Sequence, residues 1–152
     1  PQQINLISEE DKRRATIHLL LSYVEEHYAE KLSLEDLADY AQYNRTYVST
    51  LFKQMVGINF HEYLTRVRFQ HALNDLTYTR DNLTDIALKN GFPDLKTLTA
   101  RFRSTFQRTP AQYRAALKPD EVLYDKVRQF LDPQDMVLRK KLGEYAKTGI
   151  IK

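Results

Sequence analysis

The side chains able to do chemistry are thinly spread in this chain, and their spacing excludes most reactions. Cysteine is absent, which removes disulfides, thiolate zinc sites and thiol nucleophiles. The four histidines, at positions 18, 27, 61 and 71, fall at no metal-binding or catalytic spacing. His61-Glu62 lacks the second histidine of a zinc-hydrolase helix. With no Ser-His-Asp order and no Gly-rich phosphate loop, neither an enzyme, a metal nor a cofactor is expected. What remains are short hydroxyls and cations in two groups. One is Arg45, Thr46, Ser49, Thr50 and Lys53; the other is Lys96, Thr97, Ala100, Arg101 and Arg103. Hydroxyls bond base edges or phosphates, Lys and Arg donate to guanine or to phosphate, and an alanine methyl can meet a thymine methyl.

Such groups need rigid elements to present them, and the apolar pattern supplies helices. Ile17, Leu20, Leu21, Val24 and Tyr28 recur at three- and four-residue steps, so a helix with one buried stripe is expected from Asp11 to Tyr28, after a leader over residues 1–10. Ser33 with Asp36 three residues on reads as a capping box opening a short helix to Ala41. After a break at 42–44, a helix from Arg45 turns Val48, Leu51, Phe52 and Met55 inward and stops at Gly57. A longer helix is expected from Asn59 to Leu76.

The pattern then repeats. Asn82–Ala87 echoes Ser33–Ala38 at a displacement of 49, and after a one-residue insertion Val48, Phe52, Phe60 and Tyr63 match Leu98, Phe102, Pro110 and Tyr113 at a displacement of 50. Recurrence of apolar types in register means one supersecondary unit used twice. Each unit is a short helix, a tight turn and a second helix with a polar outer face. Ala38, Ala41 and Ala87 are small enough for the helices to cross closely, and Gly91 suits a turn needing positive φ or close backbone approach. This layout is that of a helix-turn-helix, whose second helix can enter a major groove about 12 Å wide. With Phe52 inward, Thr46, Thr50 and Gln54 point out, flanked by Tyr47, Ser49 and Lys53. With Leu98, Phe102 and Phe106 inward, Lys96, Thr97, Ala100 and Ser104 point out, flanked by Thr99, Arg101 and Arg103. By geometry alone these side chains could meet either bases or phosphates, with Arg45, Lys53 and Arg103 the phosphate-facing candidates.

Charge agrees locally rather than globally. The net charge of the 152 residues is only +3. Residues 1–31 carry four bases and six acids, whereas from Leu95 to Arg114 there are five bases and no acid. The competing reading is a helical protein-interaction or dimerisation module, which would not need that acid-free stretch. No apolar run is long enough to span a bilayer, the N-terminus lacks a secretory layout, and a cytoplasmic setting is expected.

Gly91–Arg114, GFPDLKTLTARFRSTFQRTPAQYR, resembles the C-terminal signature of the AraC/XylS transcription regulators, with Gly-Phe at its start, Phe102 in the second helix and Thr-Pro-x-x-Tyr-Arg at its end. Leu32–Leu64 is similar to that family's first unit, and Tyr63–Leu76, with Arg66, Arg68 and Ala72, to its connecting helix. The resemblance covers residues 15–117. It implies an all-α fold of two helix-turn-helix subdomains, 11–76 with the connecting helix and 77–117. It further implies sequence-specific binding of double-stranded DNA through two recognition helices in successive major-groove segments. It places Thr46, Ser49 and Thr50, then Lys96, Thr97, Ala100 and Arg101, against bases. It also implies a regulator that recruits RNA polymerase, and a ligand-sensing domain upstream that this chain, read as a fragment of a longer protein, does not contain. The missing cysteine excludes the thiol-dependent methyl transfer sometimes joined to this fold. Gln107 stands where the family has glycine, which leaves open whether that helix continues or bends. Residues 118–152 have no counterpart; they are expected as a helical extension, Pro119–Leu131 and Pro133–Ala146, with Arg139-Lys140-Lys141 on a solvated face.

Overall fold

A computed structural model describes residues 8–117, and the expectations for 1–7 and 118–152 lie outside the described residues. Seven helices follow one another, and the described residues contain no strand: α1 (Glu9–His27), α2 (Leu34–Ala41), α3 (Arg45–Val56), α4 (Phe60–Tyr78), α5 (Leu83–Lys89), α6 (Leu95–Phe106) and α7 (Pro110–Ala115). The first helix starts before the expected Asp11. Ser8 accepts the Asp11 N–H on its hydroxyl at 3.0 Å, and Lys12 N–H reaches the Ser8 carbonyl, so the first turn is closed inside the expected leader.

The chain forms two compact units. Among the described residues one comprises 8–26 with Leu32–Phe60, and the other His27–Lys31 with 61–117. In the first, Ile17, Leu20, Leu21 and Val24 of α1, Leu37 and Ala38 of α2, and Val48, Leu51, Phe52, Met55 and Val56 of α3 are buried. The Phe52 and Phe60 rings meet edge to face, with centroids 5.9 Å apart. In the second, Phe69, Ala72, Leu73 and Leu76 of α4 form one cluster with Ile86, Ala87, Phe92, Leu98, Phe102 and Tyr113, and Phe106 packs against it. The resemblance assigns α4, up to residue 76, to the first subdomain. The compact units divide at Phe60, and Phe69, Ala72, Leu73 and Leu76 in the second half of α4 join the apolar cluster of the second repeat.

The two copies share backbone detail as well as apolar register. Tyr43 N–H bonds the Ala38 carbonyl at 3.1 Å, and 49 residues on Phe92 N–H bonds that of Ala87 at 3.0 Å. Left-handed backbone ends the first helix of each copy, at Gln42 (φ 61°) and Gly91 (φ 90°), and the second, at Gly57 (φ 94°) and Gln107 (φ 55°). Gln107 thus settles the point left open: it takes the conformation that glycine takes in the first copy, and α6 stops at Phe106 with Gln107 N–H on the Arg103 carbonyl. The predicted capping box forms, with Ser33 accepting Asp36 N–H and the Asp36 carboxylate accepting Ser33 N–H at 2.8 Å.

Candidate nucleic-acid interface

The first candidate recognition helix, α3, starts at Asn44, whose side-chain oxygen accepts Tyr47 N–H at 2.7 Å. Thr46, Ser49, Thr50, Lys53 and Gln54 are all exposed, as the helical step from buried Phe52 requires. Gln54 accepts a hydrogen bond from Arg13 at 2.8 Å, which ties the end of α3 to α1. Arg45 lies 3.8 Å from Glu35 with both side chains mostly in solvent. A pair of that kind is worth little and releases its cation readily.

The second, α6, starts at Asp94, whose carboxylate accepts both the N–H and the hydroxyl of Thr97 at 2.7 Å. Those two bonds hold the Asp94 carboxyl below its ordinary range, so the cap stays ionised. Because the Thr97 hydroxyl spends its proton on Asp94, its oxygen is left to accept. Lys96, Ala100, Arg103 and Ser104 are exposed beside it, while Leu98 and Phe102 are fully buried. Thus nine of the ten expected residues (Thr46, Ser49, Thr50, Arg45, Lys53, Lys96, Thr97, Ala100 and Arg103) are exposed.

The tenth, Arg101, is placed differently. Its Nη2 lies 2.7 Å from Glu62 Oε1 and its Nη1 3.4 Å from Oε2, while the Arg66 Nε donates to Oε1 at 2.9 Å. Burial works to raise the Glu62 carboxyl, but hydrogen bonds from Arg101 and Arg66, and then their charges, outweigh it and hold the group below the usual carboxylate range. Two further arginines have structural work that spacing did not reveal. Arg114, at the end of the acid-free stretch, donates to the carbonyls of Leu76 and Thr79 and so satisfies the open end of α4. Arg68 donates from Nε to the Tyr28 carbonyl at 2.6 Å and from Nη2 to that of Glu30 at 2.8 Å. Among the described residues no group of His, Asp and Glu is placed to hold a metal ion, and no helix is long and apolar enough to cross a membrane.

Two short-helix, tight-turn, capped-helix units of this geometry define a protein with a duplicated helix-turn-helix. The model of the helix-turn-helix domain family matches residues 37–116, and with AraC-type domains among its structural neighbours the chain belongs to the AraC-type helix-turn-helix family. An uncharacterized HTH-type transcriptional regulator of Staphylococcus aureus (strain COL) is 38% identical over 98 residues, which is 64% of this chain and 13% of that protein. An AraC-type transcriptional regulator from Chromobacterium violaceum shares the fold with a TM-score of 0.61 and 28% identity, over 71% of this chain and 95% of that one. The DNA-binding domain of AdpA, a global transcriptional factor solved in complex with a target DNA, gives 0.63 and 26%, over 66% and 91%.

Proposed function

We propose that this chain binds double-stranded DNA sequence-specifically as the reading head of a transcription regulator, with α3 and α6 each entering a major-groove segment. The observation that carries the reading is the recurrence, in each unit, of a capped second helix whose exposed side is hydroxyl and cation while its opposite side supplies core residues, Val48 and Phe52 in one and Leu98 and Phe102 in the other. A generic solvated helix needs no such match between copies. Similarity to the AdpA domain, solved on its target DNA, supports it. Thr46, Ser49 and Thr50 of α3, with Lys96, Thr97 and Ala100 of α6, face base edges. Thr97, its proton engaged, accepts from an exocyclic amine of adenine or cytosine, and Lys96 donates to guanine. Arg45, Lys53 and Arg103 face phosphates and set the register. Recruitment of RNA polymerase, and control by a ligand-sensing region of a larger regulator, belong to the same proposal. A larger regulator accords with the S. aureus relative, in which the matched stretch is a small part.

Selection of bound duplexes from a random pool tests the reading. A shared motif with two blocks about one helical turn apart is the expected result. Lys96→Ala should then change preference within one block while far-UV circular dichroism keeps its helical content. Recovery of no motif, or equal affinity at 50 and 200 mM salt, refutes it.

A further inference from the structure

The cluster around Glu62 carries a feature that DNA reading alone does not call for. Glu62 stands on the first turn of α4 and Arg101 in the middle of α6, within one compact unit. Arg101 is the flanking neighbour of exposed Ala100 and lies one turn beyond Thr97, both candidates for base contact. Yet its guanidinium engages a carboxylate through both terminal nitrogens, in the fork geometry by which arginine also grips phosphate. The Arg101 Nε is buried and makes no hydrogen bond, so its hold is incomplete. The pair is partly open to solvent, with Arg101 25% and Glu62 33% exposed, whereas Arg66 on the same carboxylate is only 13% exposed. One carboxylate therefore serves two arginines, of which only Arg101 sits on the candidate reading helix near the surface.

Resting on the DNA-binding reading, we infer that Glu62 acts as a built-in phosphate mimic: it occupies Arg101 and withholds that cation from the DNA-facing set of α6. The carboxylate and a backbone phosphate compete for one fork, and the intramolecular partner is always present. DNA affinity is thereby set lower, and made less salt-dependent, than the five bases between Leu95 and Arg114 imply. Glu62 is a tuning residue and touches no base.

Titration of a labelled random-sequence duplex between 50 and 200 mM salt, for the wild type, Glu62→Gln, Arg101→Ala and the double variant, tests this. Releasing one cation onto a phosphate should steepen the log–log salt slope of Glu62→Gln by about 0.9 and tighten binding roughly eightfold at 0.1 M salt. Arg101→Ala should match the wild type, and the double variant should lose the whole gain. A gain that persists in the double variant reduces the effect to bulk charge and overturns the inference. So does a wild-type slope that falls by about 0.9 in Arg101→Ala, since Arg101 would then already lie on phosphate. A wild type with no salt-dependent duplex binding defeats the DNA reading itself; normal wild-type binding with an unresponsive Glu62→Gln defeats only the mimic. A readout on the unmodified protein covers the case in which Glu62→Gln fails to fold. The Arg101 Nε–H resonance should stay in place when duplex is added, and displacement of that signal refutes withholding.

Discussion

Replacing Gly91 by alanine puts the closest contact in the second turn to a quantitative test. Gly91 has φ +90°, and a Cβ built there would lie 2.5 Å from Arg68 Nε, 3.0 Å from Arg68 Cδ and 2.7 Å from the Tyr28 carbonyl oxygen. Left-handed backbone costs an L-residue roughly 1–2 kcal/mol. Displacing the guanidinium from the carbonyls of Tyr28 and Glu30 forfeits bonds from a charged donor, about 1.5–3 kcal/mol in all if one equivalent is lost. The two contributions together come to about 2.5–5 kcal/mol, which lowers Tm by at least 10 °C in a unit of this size. Thermal unfolding followed at 222 nm, with Arg68→Ala and the double variant completing a cycle, separates the parts. Once Arg68 is truncated, only the backbone strain and the Tyr28 contact remain, so Gly91→Ala should cost about 1.5–3 kcal/mol less than in the wild type. Equal costs in both backgrounds, or a Tm unchanged within experimental error, would refute the reasoning.

Other consequences are as concrete. Gln42 and Gln107 hold the left-handed position that glycine holds in the sister copy, so Gln107→Gly should raise stability by about 0.5–1 kcal/mol, readable as a higher midpoint in urea. Phe102→Ala, at a site with no exposure among Phe69, Phe106 and Tyr113, should cost about 3–5 kcal/mol and abolish cooperative melting of the second unit. Arg103→Ala should shallow the salt slope of duplex binding by about 0.9 for every sequence alike, as loss of a phosphate contact does, without altering the selected motif. Finally, Asp36, Asp94 and Glu62 are held below their ordinary values, chiefly by the hydrogen bonds they accept. A depressed carboxylate stabilises the fold fully above its unfolded pKa and loses that contribution as pH falls through the folded one. Tm should therefore drop as pH is lowered through the carboxylate range, and Asp94→Asn, which keeps an acceptor at the cap, should flatten that dependence.

Sequence periodicity revealed what is local. The helical step fixed which residues of α3 and α6 are buried, down to Val48, Phe52, Leu98 and Phe102, because one face of a helix must leave water. Ser33 and Asp36 announced their capping box, three residues apart. The recurrence at 49 and 50 residues foretold matching turns, and the backbone follows it at all four left-handed positions. Hidden from the sequence were the jobs of individual arginines. Arg101 and Arg103 differ by two positions, yet one lies against Glu62, 39 residues away, and the other in solvent. Arg68 and Arg114 find carbonyls 35 to 40 residues distant. A long cation can reach water, a carboxylate or a helix end from the same helical face, and only the fold decides which. The side to which α4 commits was equally hidden, since its apolar residues fit either repeat by spacing alone.

That commitment bears on anyone recombining the two reading heads. A graft that joins one regulator's second head to another's first at the loop near residue 80 would tear Phe69, Leu73 and Leu76 away from Ile86, Leu98 and Phe102, leaving each half with a foreign lining. The seam belongs some twenty residues earlier, directly after Phe60, so that Phe60 stays against Phe52 while the rest of the long helix travels with the second head. The Tyr28–Glu30 bend, gripped by Arg68, must be transplanted with it.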